Sequence, residues 1–207
     1  MPAFLTAFVL FLAGLSVCSA QSRSETDLLT GFRALADYKI IRADFVQTRH
    51  VAELDMKIEI KGEMICENGG RLRWQVNSPV CSVSVIDKEQ IRYFDAEAGK
   101  TLVIQQSRFP WLKVLRECLA DWISGDPERL GRRFERMVLP PRTLRLLPKE
   151  STLKQIFKSV EIRANPEFNA IETIVIEELS GYRLEIRFVK VQKNPVLPYQ
   201  IWRMPPT

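Results

Sequence analysis

This sequence holds a single histidine, His50, and the residue patterns that accompany enzymatic chemistry are missing around it. There is no G-x-S-x-G elbow, no H-E-x-x-H pair and no phosphate-cradling G-x-x-x-x-G-K-[ST] loop. The adjacent Glu177 and Glu178 cannot work as a pair, because consecutive side chains on a strand point to opposite faces. No C-x-x-C spacing occurs, which removes the usual redox and zinc motifs. Past residue 20 no stretch is long and apolar enough to span a bilayer, so the chain beyond it is expected to be soluble. Internal repeats, low-complexity tracts and linkers are also absent. These gaps argue against a hydrolase and predict no catalytic residues, no metal and no cofactor.

What is present begins with an N-terminal segment unlike the rest. Met1 to Ala20 carries no charged side chain, is almost wholly apolar from Ala3 to Leu15 and ends in small residues, which predicts a secretory signal cut after Ala20. A lipidated Cys18 is the competing reading, but Val17 before it is larger than such a site normally takes. Residues 21–207 are expected to form one domain. The formal net charge is +5, with acids and bases interleaved as on a solvated face. Arg129, Arg132, Arg133 and Arg136 make the densest basic stretch, tempered by Glu128 and Glu135. In an exported chain this suits transient contact with an anionic membrane surface, where each Lys or Arg contributes about 1 kcal/mol, better than nucleic acid. Cys66, Cys81 and Cys118 follow the signal. Cys66 and Cys81 lie on neighbouring predicted strands and either pair or remain thiols; an odd count leaves at least one free.

Periodicity supplies the architecture. Ser24 caps a first helix, with Leu28, Phe32 and Leu35 at helical spacing. The period then becomes two. Phe45 opens an apolar strand, Met56, Ile58, Ile60 and Met64 alternate with Lys57, Glu59, Lys61 and Glu63, and a turn at Asn68-Gly69-Gly70 leads to Leu72, Trp74 and Val76. Further strands are expected at 83–86, 90–94, 101–104, 134–139, 143–147, 160–164, 171–177 and 182–191, and short connections make them antiparallel. Between them Pro110 starts a helix with Trp111, Leu115, Cys118, Leu119 and Trp122 on one face. Ser124-Gly125-Asp126-Pro127 ends it. The sheet's apolar face must be covered, and only the first helix and the 110–123 segment are available. Full cover gives an inert α+β domain; loose cover leaves a cavity suited to apolar ligands.

Several stretches, in this order, resemble the LolA family of periplasmic lipoprotein carriers. Ala43-Asp44-Phe45-Val46-Gln47 is similar to its F-x-Q strand. Gly62, Arg71-Leu72-Arg73-Trp74 and Ser78-Pro79 resemble its tryptophan strand pair, and Asp87 to Asp95 its D-G-x-x-x-W-x-Y hairpin. Pro110-Trp111 sits where the family has a lid helix, and Leu146-Leu147-Pro148-Lys149 resembles its L-x-P-K strand end. The Ser124-Gly125-Asp126 step, with Leu130 and Phe134, looks more like a branch linked to glycolipid or aryl polyene export. The resemblance implies an incomplete, curved antiparallel barrel with helices as a lid over an apolar cavity. It also implies a monomeric carrier of acyl chains of a lipoprotein or glycolipid. Its partners would be an inner-membrane transporter and an outer-membrane acceptor, and no nucleic acid. Phe45, Ile58, Ile60, Met64, Leu72, Trp74, Val83 and Val85 would line the sheet side of the cavity, and Trp111, Leu115 and Leu119 the lid side. The family's lid-locking arginine has no counterpart in Glu67-Asn68-Gly69-Gly70, so that lock is not carried over. RseB-like sensors, which share the fold and bind a lipid or peptide signal and a protein partner, are the alternative.

Overall fold

A computed structural model describes residues 25–51, 56–105, 107 and 110–205; the expected signal, Met1 to Ala20, lies outside the described residues. Helix α1 (25–35) is followed by six strands, β1 (Ile40–Val51), β2 (Met56–Glu67), β3 (Leu72–Ser78), β4 (Ser82–Ile86), β5 (Gln90–Asp95) and β6 (Lys100–Gln105). Helices α2 (Pro110–Ser124) and α3 (Pro127–Arg133) come next, then β7 (Phe134–Leu139) and β8 (Thr143–Pro148). A single helical turn, α4 (Ser151–Lys154), precedes β9 (Phe157–Ala164), β10 (Ile171–Glu178) and β11 (Arg183–Lys193). All eleven strands form one antiparallel sheet in the order β6-β5-β4-β3-β2-β1-β11-β10-β9-β8-β7. The chain thus meanders to one edge at β6, crosses to the opposite edge at β7, and meanders back until β11 pairs with β1. The crossing segment is α2–α3. Its path across the sheet follows from where the two edges lie, and it places the helices over the face that periodicity marks as apolar.

Curvature has local causes. The register shifts between Arg42 and Asp44, between Lys61 and Gly62, and twice along β9–β10, and each such bulge bends and twists its strand. Gly62 is the tightest of these positions. A Cβ there would stand 2.0 Å from the Gln75 carbonyl oxygen and 2.6 Å from the Phe45 ring. The missing side chain lets Phe45, its partner across β1–β2, lie flat on the sheet and stack on Trp74, with ring centroids 4.0 Å apart and planes at 28°.

The main core fills the inner face. Phe32 and Leu35 of α1, Trp122 and Ile123 of α2, and Leu130 of α3 pack on Phe45, Met64, Ile174, Ile162, Leu144 and Leu146. Trp122 meets Phe157 edge-on at 5.4 Å and Phe134 at 6.1 Å. A second, smaller cluster sits on the outer face, where Ile65, Val83 and Val85 are covered by Trp202 from the 3-10 turn Tyr199–Trp202. The Arg71 guanidinium lies 4.3 Å from the Trp202 ring centroid, and Arg73 donates to the Arg203 carbonyl at 3.1 Å. Sequence reading expects Val83 and Val85 to face the cavity together with Leu72 and Trp74. Their register opposite Gln75 and Arg73 puts them on the other side of the sheet, and Ser82 and Ser84 take the inner positions.

Substituting Gly62→Ala should cost about 1–3 kcal/mol through overpacking against backbone. The expected outcome is a Tm lowered by several degrees in thermal unfolding followed by circular dichroism.

Candidate functional site

Cross-strand register lines up rows of inner-face residues. One row runs Ala43, Met64, Trp74, Ser84, Tyr93, Leu102 from β1 to β6, and a parallel one runs Ile41, Cys66, Leu72, Ile86, Ile91, Ile104. Burial falls steadily along the first row. Met64 is 1% exposed, Trp74 and Tyr93 are half-buried, and Leu102 at the edge is 56% exposed. At one end of β2, beyond the reach of β3, Met56 and Ile58 are also exposed. The inner face is therefore sealed toward β1 and bare toward β6, an apolar strip of the kind that marks a binding surface.

Beneath the helices the sealed part is packed. Among the described residues, the small void lined by Ile41, Ala43, Met64, Ile123, Ile171, Phe188 and Val191 has a volume of about 10 Å³, close to the smallest that holds one water. Of the expected lining, Phe45, Met64 and Leu72 are core residues, Ile60 and Trp74 are half-buried beside them, and Ile58 is exposed. Leu119 packs half-buried against the same core. Trp111 and Leu115 fall on α2, but their side chains lie outside the described residues.

A polar tie holds the helices in place, and periodicity gives no sign of it. The side-chain amide of Asn68, in the β2–β3 turn, donates to the carbonyls of Ala36 and Tyr38 at the end of α1, at 3.2 and 3.1 Å. Its oxygen accepts from Arg129 of α3 at 2.7 Å. The Arg129 Nε donates in turn to Asp121 of α2 at 2.8 Å. One arginine thus joins both lid helices to the turn that follows β2. Gly125, with φ of 67°, makes the sharp α2–α3 corner; Ser124 donates to the Asp121 carbonyl at 2.8 Å and Asp126 caps α3. Sequence reading groups Arg129 with the solvated basic stretch. In the structure it is partly buried, bonded to both Asp121 and Asn68.

The titratable groups of this region are set by burial. Burial raises the Asp121 carboxyl above the ordinary aspartate range, an effect that outweighs the opposing pull of Arg129. The Cys66 thiol is pushed up to about 12 by burial, and so is Cys118; such thiols are inert. Cys66 and Cys118 are buried, Cys81 is exposed, and all three are unbridged. Cys66 lies at the end of β2 beside the start of β3, whereas Cys81 follows the far end of β3, which explains why they do not pair. His50 stands between Lys57 on β2 and Arg183 on β11, neither of which would orient it as a base. Among the described residues no three His, Cys, Asp or Glu side chains gather as metal ligands.

Comparison with known proteins agrees with this layout. The family model described as "Outer membrane lipoprotein carrier protein LolA" matches residues 36–204. No curated protein matches the chain in sequence. Among solved structures, the chain is similar to an uncharacterized conserved protein from Thermus thermophilus, with TM-score 0.51, 10% identity and coverage of 87% of this chain and 94% of that one. It is similar to a chain of the MucA/MucB complex of Pseudomonas aeruginosa, with TM-score 0.51, 12% identity and coverage of 86% of this chain. It spans 61% of that chain's length. A LolA superfamily protein from Nitrosomonas europaea gives a TM-score of 0.47 at 8% identity, covering 86% of this chain and 97% of that one. At these identities the two likenesses with TM-score 0.51 establish the fold alone.

Two substitutions separate the parts of the tie. Arg129→Ala should destabilise by about 1–3 kcal/mol, because it leaves the Asp121 carboxylate and the Asn68 oxygen short of a donor; hydrogen exchange across 110–133 should speed up. Asp121→Asn should leave Tm unchanged or raise it at pH 7. A carboxyl whose folded pKa is raised binds its proton more readily in the folded form, so its protonation favours folding as pH falls. The Asn variant's advantage should therefore shrink as pH drops through the folded pKa of Asp121.

Proposed function

From the premise that this chain belongs to the LolA family of outer membrane lipoprotein carrier proteins, we propose that it binds the acyl chains of a lipoprotein or glycolipid. It would ferry them through the periplasm from the inner towards the outer membrane. The observation that supports this reading is the gradient of cover along the Met64–Trp74–Tyr93–Leu102 row, from a sealed aromatic floor to exposed apolar surface within one sheet face. A guest chain would lie first on the bare strip at β5–β6. It would then extend beneath α2 toward the Phe45–Trp74 stack as the helices swing aside about the Gly125 corner.

The energetics suit a carrier. Each CH₂ withdrawn from water is worth about 0.8 kcal/mol, so a sixteen-carbon chain exposed to water costs on the order of 12 kcal/mol. A carrier has to recover most of that and still release its cargo. Partial cover meets both needs, because the lid's own apolar face competes with the guest for the floor. Met64 and Met56 supply thioether side chains that re-pack at little cost. A tie of a few hydrogen bonds through Arg129 would hold the lid over an empty floor and yield to a long acyl guest.

Extraction of the purified protein with organic solvent, followed by mass spectrometry, tests the reading. Fatty-acyl or polyene species are expected to copurify. Leu102→Glu, an exposed position, should reduce retained lipid severalfold without lowering Tm. Lipid-free protein from its native host, together with recovery of a membrane-bound regulator on pull-down, would instead favour the RseB-like sensor.

A further inference from the structure

A polar groove of about 320 Å³ opens beside the Arg129 tie, between the β4–β5 turn, the turn after β2, and helices α2 and α3. Five cations line it: Lys88, Arg116, Arg129, Arg132 and Arg133. Glu117 and Asp121 are the only carboxylates among its lining residues. Those two are already engaged, since Asp121 holds Arg129 and Glu117 holds Arg133. Arg133 also meets Glu150 at 3.4 Å, from outside the groove lining. Arg116 shares Glu117 with Arg133, its Nη2 donating to the carboxylate of its chain neighbour at 3.4 Å. Lys88 and Arg132 have no carboxylate partner among the described residues.

Among the groove cations Arg116 is the most buried; its unpartnered Nε is a feature it shares with Arg73 and Arg92 elsewhere in the fold. Its side chain is only 10% exposed, and its buried Nε has no hydrogen-bond partner among the described residues. A guanidinium shielded this far from water normally has its donors satisfied, because an orphaned charged donor is costly. Here the guanidinium lines a groove in which five cations face three carboxylates once Glu150 on Arg133 is counted, and Gly69 is among the lining residues. Guanidinium groups pair best with planar or tetrahedral oxyanions, whose oxygens accept two parallel N–H bonds.

We propose that this groove is a binding site for a phosphate group, with Arg116 as the buried anchor and Arg132 and Lys88 closing over it from α3 and the β4–β5 turn. The phosphate belongs either to a lipid headgroup or to the free ion. The site lies outside the apolar strip, and its occupancy does not require acyl binding. A bound oxyanion accepts from the Arg116 guanidinium at its groove-facing end and draws α2, α3 and the β4–β5 turn together around one charge.

Titration calorimetry of the purified protein at low salt tests this with two probes, inorganic phosphate and dihexanoyl phosphatidic acid below its micelle concentration. Both are expected to bind, and Arg116→Gln and Arg132→Gln each to weaken binding about tenfold or more. Lys158→Gln, which removes an exposed charge on β9, should have no effect. Tighter binding of the phosphatidic acid identifies a lipid headgroup as the source; equal affinities identify the phosphate group alone. Arg132 is exposed, so its variant remains informative if Arg116→Gln fails to fold. The proposal is overturned if neither probe binds, or if Lys158→Gln weakens binding as much as the groove variants do. It also fails if phosphatidic acid binds Arg116→Gln and Arg132→Gln as tightly as the original chain. Leu102→Glu should leave inorganic phosphate binding untouched, so failure of the groove and failure of the acyl reading give different results.

Discussion

The structure depends on one constraint: a long sheet with an apolar inner face, whose two edges must be joined by a single crossing segment. The chain leaves the sheet at β6 and re-enters at β7, the opposite edge. Whatever spans that distance has to pass over the face that most needs cover. The α2–α3 segment is therefore both a connection and a roof. Its length is limited, so it roofs the sheet near β1 and β10 and leaves the β5–β6 side bare. Partial cover is a consequence of topology more than of any particular side chain.

How firmly the roof is held is a separate matter, and here polar chemistry decides. Apolar packing of Trp122, Ile123 and Leu130 supplies most of the attraction, but such contacts have no direction and permit sliding. The bonds from Asn68 to the end of α1 and from Arg129 to Asn68 and Asp121 fix one arrangement. Burial of Asp121 makes its charge expensive, so the tie has only a modest net strength. A lid of this kind has one defined closed arrangement. The basic groove on the other side of the same helix would add a second point of control, because α2 carries core residues on one face and Arg116 on another.

The outer face is where alternation misleads. Ser82 to Ile86 reads as a strand with one apolar side, and so it is; yet alternation fixes only that two sides differ, never which of them points inward. Val83 and Val85 are apolar because Trp202 returns from the C-terminal end of the described chain to cover them, a contact more than a hundred residues away in sequence. The same long-range blindness affects Arg129. In a run of four arginines nothing local distinguishes the one whose guanidinium reaches a turn sixty-one positions earlier.

Local sequence by itself determined the elements and their order. Period-two runs, the Asn68-Gly69-Gly70 turn, Pro110 and the Ser124-Gly125-Asp126-Pro127 break are properties of neighbouring residues, and backbone sterics and hydrogen bonding act at that range. It also determined that one sheet face would be apolar, and the ordered motifs from Phe45 to Lys149 pointed to the family. Only the tertiary structure decided which face each strand presents, how far the helices cover the sheet, and which cations meet which carboxylates. Those outcomes depend on register and on contacts between distant segments, where many pairings are compatible with the same local pattern and packing selects one.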